Sequence, residues 1–240
     1  MPVDTTLVNE ISSDIRVLKD TTEFLYFDGV GCSPIAISML VGYWDRNGFD
    51  NLIEGDSSFF SQDVKRAIAS PEHFQNYQNP KEERGASETI PDASELSIFD
   101  AHESNSIADF AFTSRSVFGS IAGSTKSYNA GIGLHGYAAY RGYDDFQATY
   151  KKWGEFTFDD IVAEIDAGRP VQLSVDSNAD GVGDHATVVL GYNNATQQIA
   201  FHNGWQTRDR EQEDPDFYNL TWSDFSQFNT VTVFFHDDLQ

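Results

Sequence analysis

A single cysteine, Cys32, stands among 240 residues, so the chain holds no internal disulfide and no cysteine-rich zinc site. Basic side chains are scarce too: 15 Lys and Arg face 38 Asp and Glu, for a net charge of −23. That balance speaks against nucleic acid as a partner, because a phosphate backbone needs clustered cations. It speaks equally against an anionic membrane surface. Long hydrophobic runs are missing: Phe24–Phe27 is far too short to span a bilayer, and Ser38 and Gly42 interrupt Ile35–Trp44. Met1-Pro2-Val3-Asp4 lacks the basic start and apolar core of a secretory signal. A secreted or extracytoplasmic setting is still the expectation, any signal then lying outside these residues. Apolar content, in contrast, is ample. Hydrophobic residues make up 40% and aromatics 14%, which suits a packed core rather than disorder. The length fits one large domain or two small lobes around one cleft.

Residues 1–22 are polar and mixed, and read as an arm or a frayed first strand. Phe24–Phe27 then leads into the turn signal Asp28-Gly29-Val30-Gly31. Cys32–Asp45 reads as a buried helix, because Ile35, Met39 and Tyr43, like Ala36 and Leu40, recur every four residues. Pro34 suits its first turn, and Asn47-Gly48 ends it. Ser58–Ser70 is a second helix with Phe60, Val64 and Ile68 as its stripe, stopped by Pro71. Residues 71–98 read as a long polar loop, Ile107–Phe112 as a short helix, and 119–136 resist assignment. Thr157 and Asp160 form a capping box, with Ile161, Val162 and Ile165 facing the core. Strands follow at Val171–Val175, Ala186–Tyr192, Ile199–His202 and Thr230–Phe235. Helices early and strands late predict an α+β chain, a single domain over 1–240 with a helical lobe at roughly 24–155 and a sheet lobe at roughly 156–240.

Cys32 follows a glycine-rich turn and opens the buried helix. Taken alone, it is either a small buried hydrophobe or a reactive thiol. Its position favours the second reading: unpaired amides and the macrodipole at a helix N-terminus favour a thiolate. The Cys32 N–H also lies where it can help hold an oxyanion. A thiolate mechanism needs an imidazole to share the proton. Of six histidines, only His185 directly precedes a long β-type run. Asn203 ends the next strand, and a hairpin brings it to the same end as His185, where an amide can orient the ring.

These segments resemble the papain-like cysteine peptidases. Asp184-His185-Ala186, the run Val188–Tyr192 and Asn203-Gly204-Trp205 are similar to that family's Asp-His-Ala, hydrophobic strand, Gly-Tyr and Asn-Ser-Trp. Gly31-Cys32-Ser33-Pro34, with Gly42-Tyr43-Trp44-Asp45, departs from papain itself. It is more similar to bacterial papain-fold proteins related to the leader-cleaving (double-glycine) peptidases of bacteriocin exporters, which carry Gly-Cys-Gly/Ser-Pro. Gly168-Arg169-Pro170-Val171 matches them as well. The resemblance covers about 24–50 and 156–206. It implies a papain-like fold, with the nucleophile at a helix N-terminus and the base and orienter on an antiparallel sheet. The roles it implies are Cys32 as nucleophile, His185 as base then acid, Asn203 as orienter and Trp205 as a shield. One position departs. The family's oxyanion Gln lies six residues before the nucleophile, where this chain has Tyr26. A phenol can donate a hydrogen bond, but its reach differs, and losing such a donor costs about 10²–10³ in rate.

Asp176, Asn178, Asp180, the Val182 carbonyl and Asp184 follow the ligand order of a calcium loop, with Gly181 at the sixth position. The closing acid is missing, Thr187 standing in its place, so an acidic hairpin turn is the alternative. Calcium here would brace the turn structurally, and no cofactor is required for the reaction. Asp184 is also expected to raise the pKa of its neighbour His185. No His-x-x-x-His pair marks a catalytic metal, and no Gly-x-Ser-x-Gly elbow marks a serine hydrolase. The expected function is a thiol hydrolase cleaving peptide or isopeptide bonds of a peptide or protein substrate through an acyl-enzyme. Acyl transfer would use the same residues. The alternatives are a papain-fold binding module with weak or lost turnover, suggested by Tyr26, and a calcium-stabilised secreted protein with an inert Cys32.

Overall fold

The computed structural model describes residues 4–19, 21, 30–58, 61–76, 103–113, 123, 125–176, 183–204, 220–228 and 232–235. The chain divides into two compact units, one formed by residues 24–144 and the other by residues 1–23 together with 145–240. No described helix is long and apolar enough to cross a membrane.

The unit 24–144 is helical among its described residues. Helix α1 (Cys32–Arg46) is apolar on all sides, and every residue from Ser33 to Trp44 is buried. It can be so because α2 (Gln62–Ile68), α4 (Ile107–Phe110) and α5 (Ser127–Tyr140) all pack against it. Helix α2 is shorter than the Ser58–Ser70 expected from periodicity, since Ser61 caps it by accepting from the Val64 N–H at 2.9 Å. Pro71 does not merely stop α2. It opens α3 (Pro71–Asn76), a position where proline's missing N–H has no partner to lose, so the expected loop 71–98 begins as helix. Residues 77–98 lie outside the described residues. Helix α4 has a capping box between Ser106 and Asp109. Asp109 also bonds buried His73 of α3 at 2.7 Å, tying α3 to α4. Burial pushes the Asp109 carboxyl up, but the bonds from His73 and Ser106 outweigh it and hold the group below the usual carboxylate range.

Helix α5 covers part of the stretch that resisted assignment. Gly131, Gly133 and Gly136 lower its helix propensity, and tertiary packing explains at least one of them. A Cβ on Gly133 would lie 2.6 Å from the Cβ and 2.9 Å from the N of Ala111, so glycine is what lets α5 approach the end of α4.

The other unit is built on eight antiparallel strands among the described residues, ordered β1-β2-β5-β4-β8-β3, with β6 on the second edge of β5 and β7 beyond it. Residues 1–22 supply β1 (Val8–Glu10) and β2 (Ile15–Leu18), a paired hairpin rather than an arm. Strands β3 (Thr149–Lys152) and β7 (Thr221–Asp224) were not foreseen from sequence; both are short and at least half exposed. The apolar runs emerge as expected within a residue or two: β4 (Val171–Val175), β5 (His185–Asn193), β6 (Gln198–His202) and β8 (Thr232–Phe235). Strand β5 is buried from His185 to Tyr192 because β4 and β2 share one of its edges and β6 takes the other. Helix α6 (Phe158–Asp166) starts at the predicted box, the Thr157 N–H donating to Asp160 at 2.7 Å. It packs Phe158, Ile161 and Ile165 on the sheet, and Asp166 anchors it to β2 and β5 by accepting from Arg16 and from the Tyr192 hydroxyl, both at 2.8 Å. The chain is thus α+β, with Cys32 opening a buried helix and His185 opening a strand of an antiparallel sheet.

Candidate active site

Cys32 is the first residue of α1 and is half-buried. Gly31 before it has φ of 97° and ψ of 161°, a conformation open essentially to glycine alone. Close approach makes the same demand: a Cβ on Gly31 would sit 2.2 Å from the carbonyl oxygen of Gly123. Nothing in the sequence signalled that neighbour, which comes from the stretch that resisted assignment. The glycine cap has a chemical consequence. Gly31 has no side chain with which to cap α1, and the first turn holds no acidic residue. The positive end of the helix favours negative charge at Sγ.

His185 and Asn203 come together at one end of the β5–β6 hairpin. Strand pairing runs from Val188 opposite His202 to Asn193 opposite Gln198, and the turn takes Asn194–Gln197. That register brings Asn203 alongside the start of β5. The bond at 2.7 Å joins His185 Nε2 to the main-chain carbonyl of Asn203, where a side-chain amide was the expectation. A carbonyl oxygen can only accept, so Nε2 carries the hydrogen and Nδ1 is the basic nitrogen of the neutral ring. His185 is only 6% exposed. Burial lowers its pKa from the ordinary 6.5, against the opposing effects of the Asn203 bond and the Asp184 charge. The upward shift expected from Asp184 is thus overturned. Asp184 is solvent-exposed, where water screens its charge, and the loss of hydration at the buried ring is the larger effect.

Of the calcium-loop residues, Asp176 and Asp184 are described and stand at the two ends of the loop, just past the β4–β5 pair Val175 and His185. The Asp184 N–H donates to the Val175 carbonyl at 2.9 Å. Asn178, Asp180 and Val182 lie outside the described residues, as do Tyr26 and Trp205. Among the described residues, no group of three His, Cys, Asp or Glu gathers in a way that could hold a metal.

The Peptidase_C39 like family is matched over residues 18–229. No curated protein matches the chain. A solved structure of a prointerpain A fragment from Prevotella intermedia, carrying a Cys-to-Ala substitution, is similar at 13% identity and a TM-score of 0.48, over 98% of this chain and 74% of that one.

Proposed function

The chain belongs to the Peptidase_C39 like family and is a cysteine peptidase-like hydrolase, and from that premise we propose that Cys32, His185 and Asn203 are its catalytic set. Its substrates are peptides or proteins. Cys32 Sγ gives its proton to His185 Nδ1 and attacks the scissile carbonyl carbon. The Cys32 main-chain N–H and a second donor, Tyr26, hold the oxyanion. His185 then returns the proton to the leaving amine, the C–N bond breaks, and a thioester remains on Cys32. Water, deprotonated by the same imidazole, attacks the thioester and releases the acid and the thiol. Trp205 shields the His185–Asn203 bond from water.

The bond from His185 Nε2–H to the Asn203 carbonyl carries this reading. It supports Nδ1 as the nitrogen that accepts a proton, while burial, against the effect of the bond itself, lowers the pKa of the ring. A helix N-terminus without an acidic first turn supports the thiolate half of the pair. The test is alkylation of Cys32 by iodoacetamide from pH 4 to 10, with His185→Ala alongside. A fast plateau reaching below about pH 6, abolished in the variant, is the expected result. A single titration near the ordinary thiol value of about 8.5, indifferent to the substitution, would overturn the proposal and leave a binding module.

A further inference from the structure

The helical unit holds a cavity of about 370 Å³ at the opposite end of α1 from Cys32. Its polar walls are Glu54, Asp63, Arg66, Asn105, Tyr137, Tyr140 and Arg141. Asp45, in the last turn of α1, accepts from the Ile53 N–H at 2.9 Å and so fastens the 47–55 loop there. Thirteen residues separate Cys32 from Asp45, or about 20 Å of helix at roughly 1.5 Å per residue. The cavity is therefore a place apart from the nucleophile, and its volume lies within the range of small-ligand pockets, about 300–1,000 Å³.

Its charged groups are not equally committed. Asp63 accepts from Arg66 and from the Asp56 N–H at 2.9 Å, and these bonds, the Asp56 N–H foremost, hold its carboxyl below the usual range. Arg141 is held from two sides: its Nε donates to the Asn51 carbonyl at 2.9 Å, and its guanidinium lies 6.0 Å from the Tyr140 ring centroid. The remaining partner of Arg141 is Glu54, at 3.1 Å, whose side chain is 85% exposed. An ion pair with so exposed a carboxylate is weak and easily exchanged. Beside this cation stand buried Tyr137 and exposed Tyr140, rings 6.3 Å apart. A positioned guanidinium with a displaceable carboxylate, next to an aromatic wall, is a receptor for one carboxylate attached to an apolar body. Polyanions are disfavoured by the net charge of −23.

We propose that this cavity binds an apolar monocarboxylate, Arg141 taking the ligand's carboxylate in place of Glu54 while Tyr137 and Tyr140 pack against its body. An apolar amino acid and the C-terminal residue of a peptide both have this chemistry. The site stands independently of the roles given to Cys32, His185 and Asn203.

Isothermal titration of the full chain with N-acetylphenylalanine, phenylalanine and N-acetylphenylalanine amide tests it. The acid is expected to bind one to one, and the amide at least about tenfold more weakly, because a charge-assisted bond is lost. Glu54→Gln removes the internal competitor and tightens binding about two- to five-fold, the worth of an exposed ion pair. Arg141→Gln abolishes it. Tighter binding of the acetylated form assigns the site to peptide C-termini, and tighter binding of phenylalanine assigns it to the free amino acid. Prior alkylation of Cys32 leaves the affinity unchanged. Equal binding of acid and amide, no binding at millimolar concentration, or loss of binding on Cys32 alkylation would each overturn the proposal. So would an affinity indifferent to Glu54→Gln, a substitution too exposed to disturb folding.

Discussion

His185 Nε2 is held at 2.7 Å by a main-chain carbonyl, so removing the Asn203 side chain leaves that bond in place. Asn203→Ala is expected to cost no more than about tenfold in kcat/KM on a peptide substrate, the worth of one neutral hydrogen bond, while His185→Ala abolishes turnover. A loss beyond about a hundredfold would mean that the side-chain amide, not the carbonyl, orients the ring. His202 poses a different question, since burial alone lowers its pKa from 6.5 to about 3. The folded chain thus binds fewer protons here than the unfolded chain as pH falls. Stability from a neutral His202 is complete above about pH 6.5 and is lost progressively as pH falls toward 3, at up to about 1.4 kcal/mol per pH unit. Denaturant unfolding of the wild type and His202→Asn between those limits is expected to show the shallower slope in the variant. Parallel slopes would mean that His202 titrates normally.

Two elements carry the functional proposal, and each does so through its end. Helix α1 begins at a residue conformation that glycine adopts readily and other residues do not, and therefore begins without a side-chain cap. The β4–β5 hairpin places Asp176 and Asp184 at the two ends of one loop, next to the proposed base. We propose that this loop takes a structural calcium ion through Asp176, Asn178, Asp180, the Val182 carbonyl and Asp184. At about a hundred times its dissociation constant, calcium would then add about 2.7 kcal/mol of stability, or roughly 5–10 °C in Tm for a chain of this size. Thermal unfolding in calcium and in EDTA measures this, with Asp180→Ala expected to remove the difference. Identical melting in both solutions would leave the loop an acidic turn.

Across the whole molecule, 38 acidic side chains against 15 basic ones mean net self-repulsion in the folded state. Salt screens it over about 10 Å at 0.1 M. Tm in EDTA-containing buffer is therefore expected to rise from about 20 to about 500 mM sodium chloride, by screening alone. A falling Tm would mean that pairs such as Arg16–Asp166 and Arg169–Glu164 contribute more than the repulsion costs. The same scale explains two features that the sequence left open. Strand β2 finds its partner in β5, some 170 residues later in the chain, and β1 joins the sheet through β2, so no local pattern announces their place in it. Helix α5 carries glycines that only its contact with α4 makes useful.

Short-range physics was legible in the sequence. Four-residue apolar spacing marked α1 and its start at Cys32, the Thr157–Asp160 box marked α6, and apolar runs marked β4, β5 and β6. Each depends on neighbours within a few residues, where backbone geometry leaves little choice. The order Cys32, His185, Asn203 was likewise visible in motifs. Tertiary structure alone decided which atom of Asn203 meets the imidazole, that burial outweighs Asp184 in setting the pKa of His185, and that Gly123 lies against Gly31. It also decided that Glu54, Arg66 and Arg141 wall a single cavity. These depend on desolvation and on contacts between distant residues, quantities that have no value until the chain has folded.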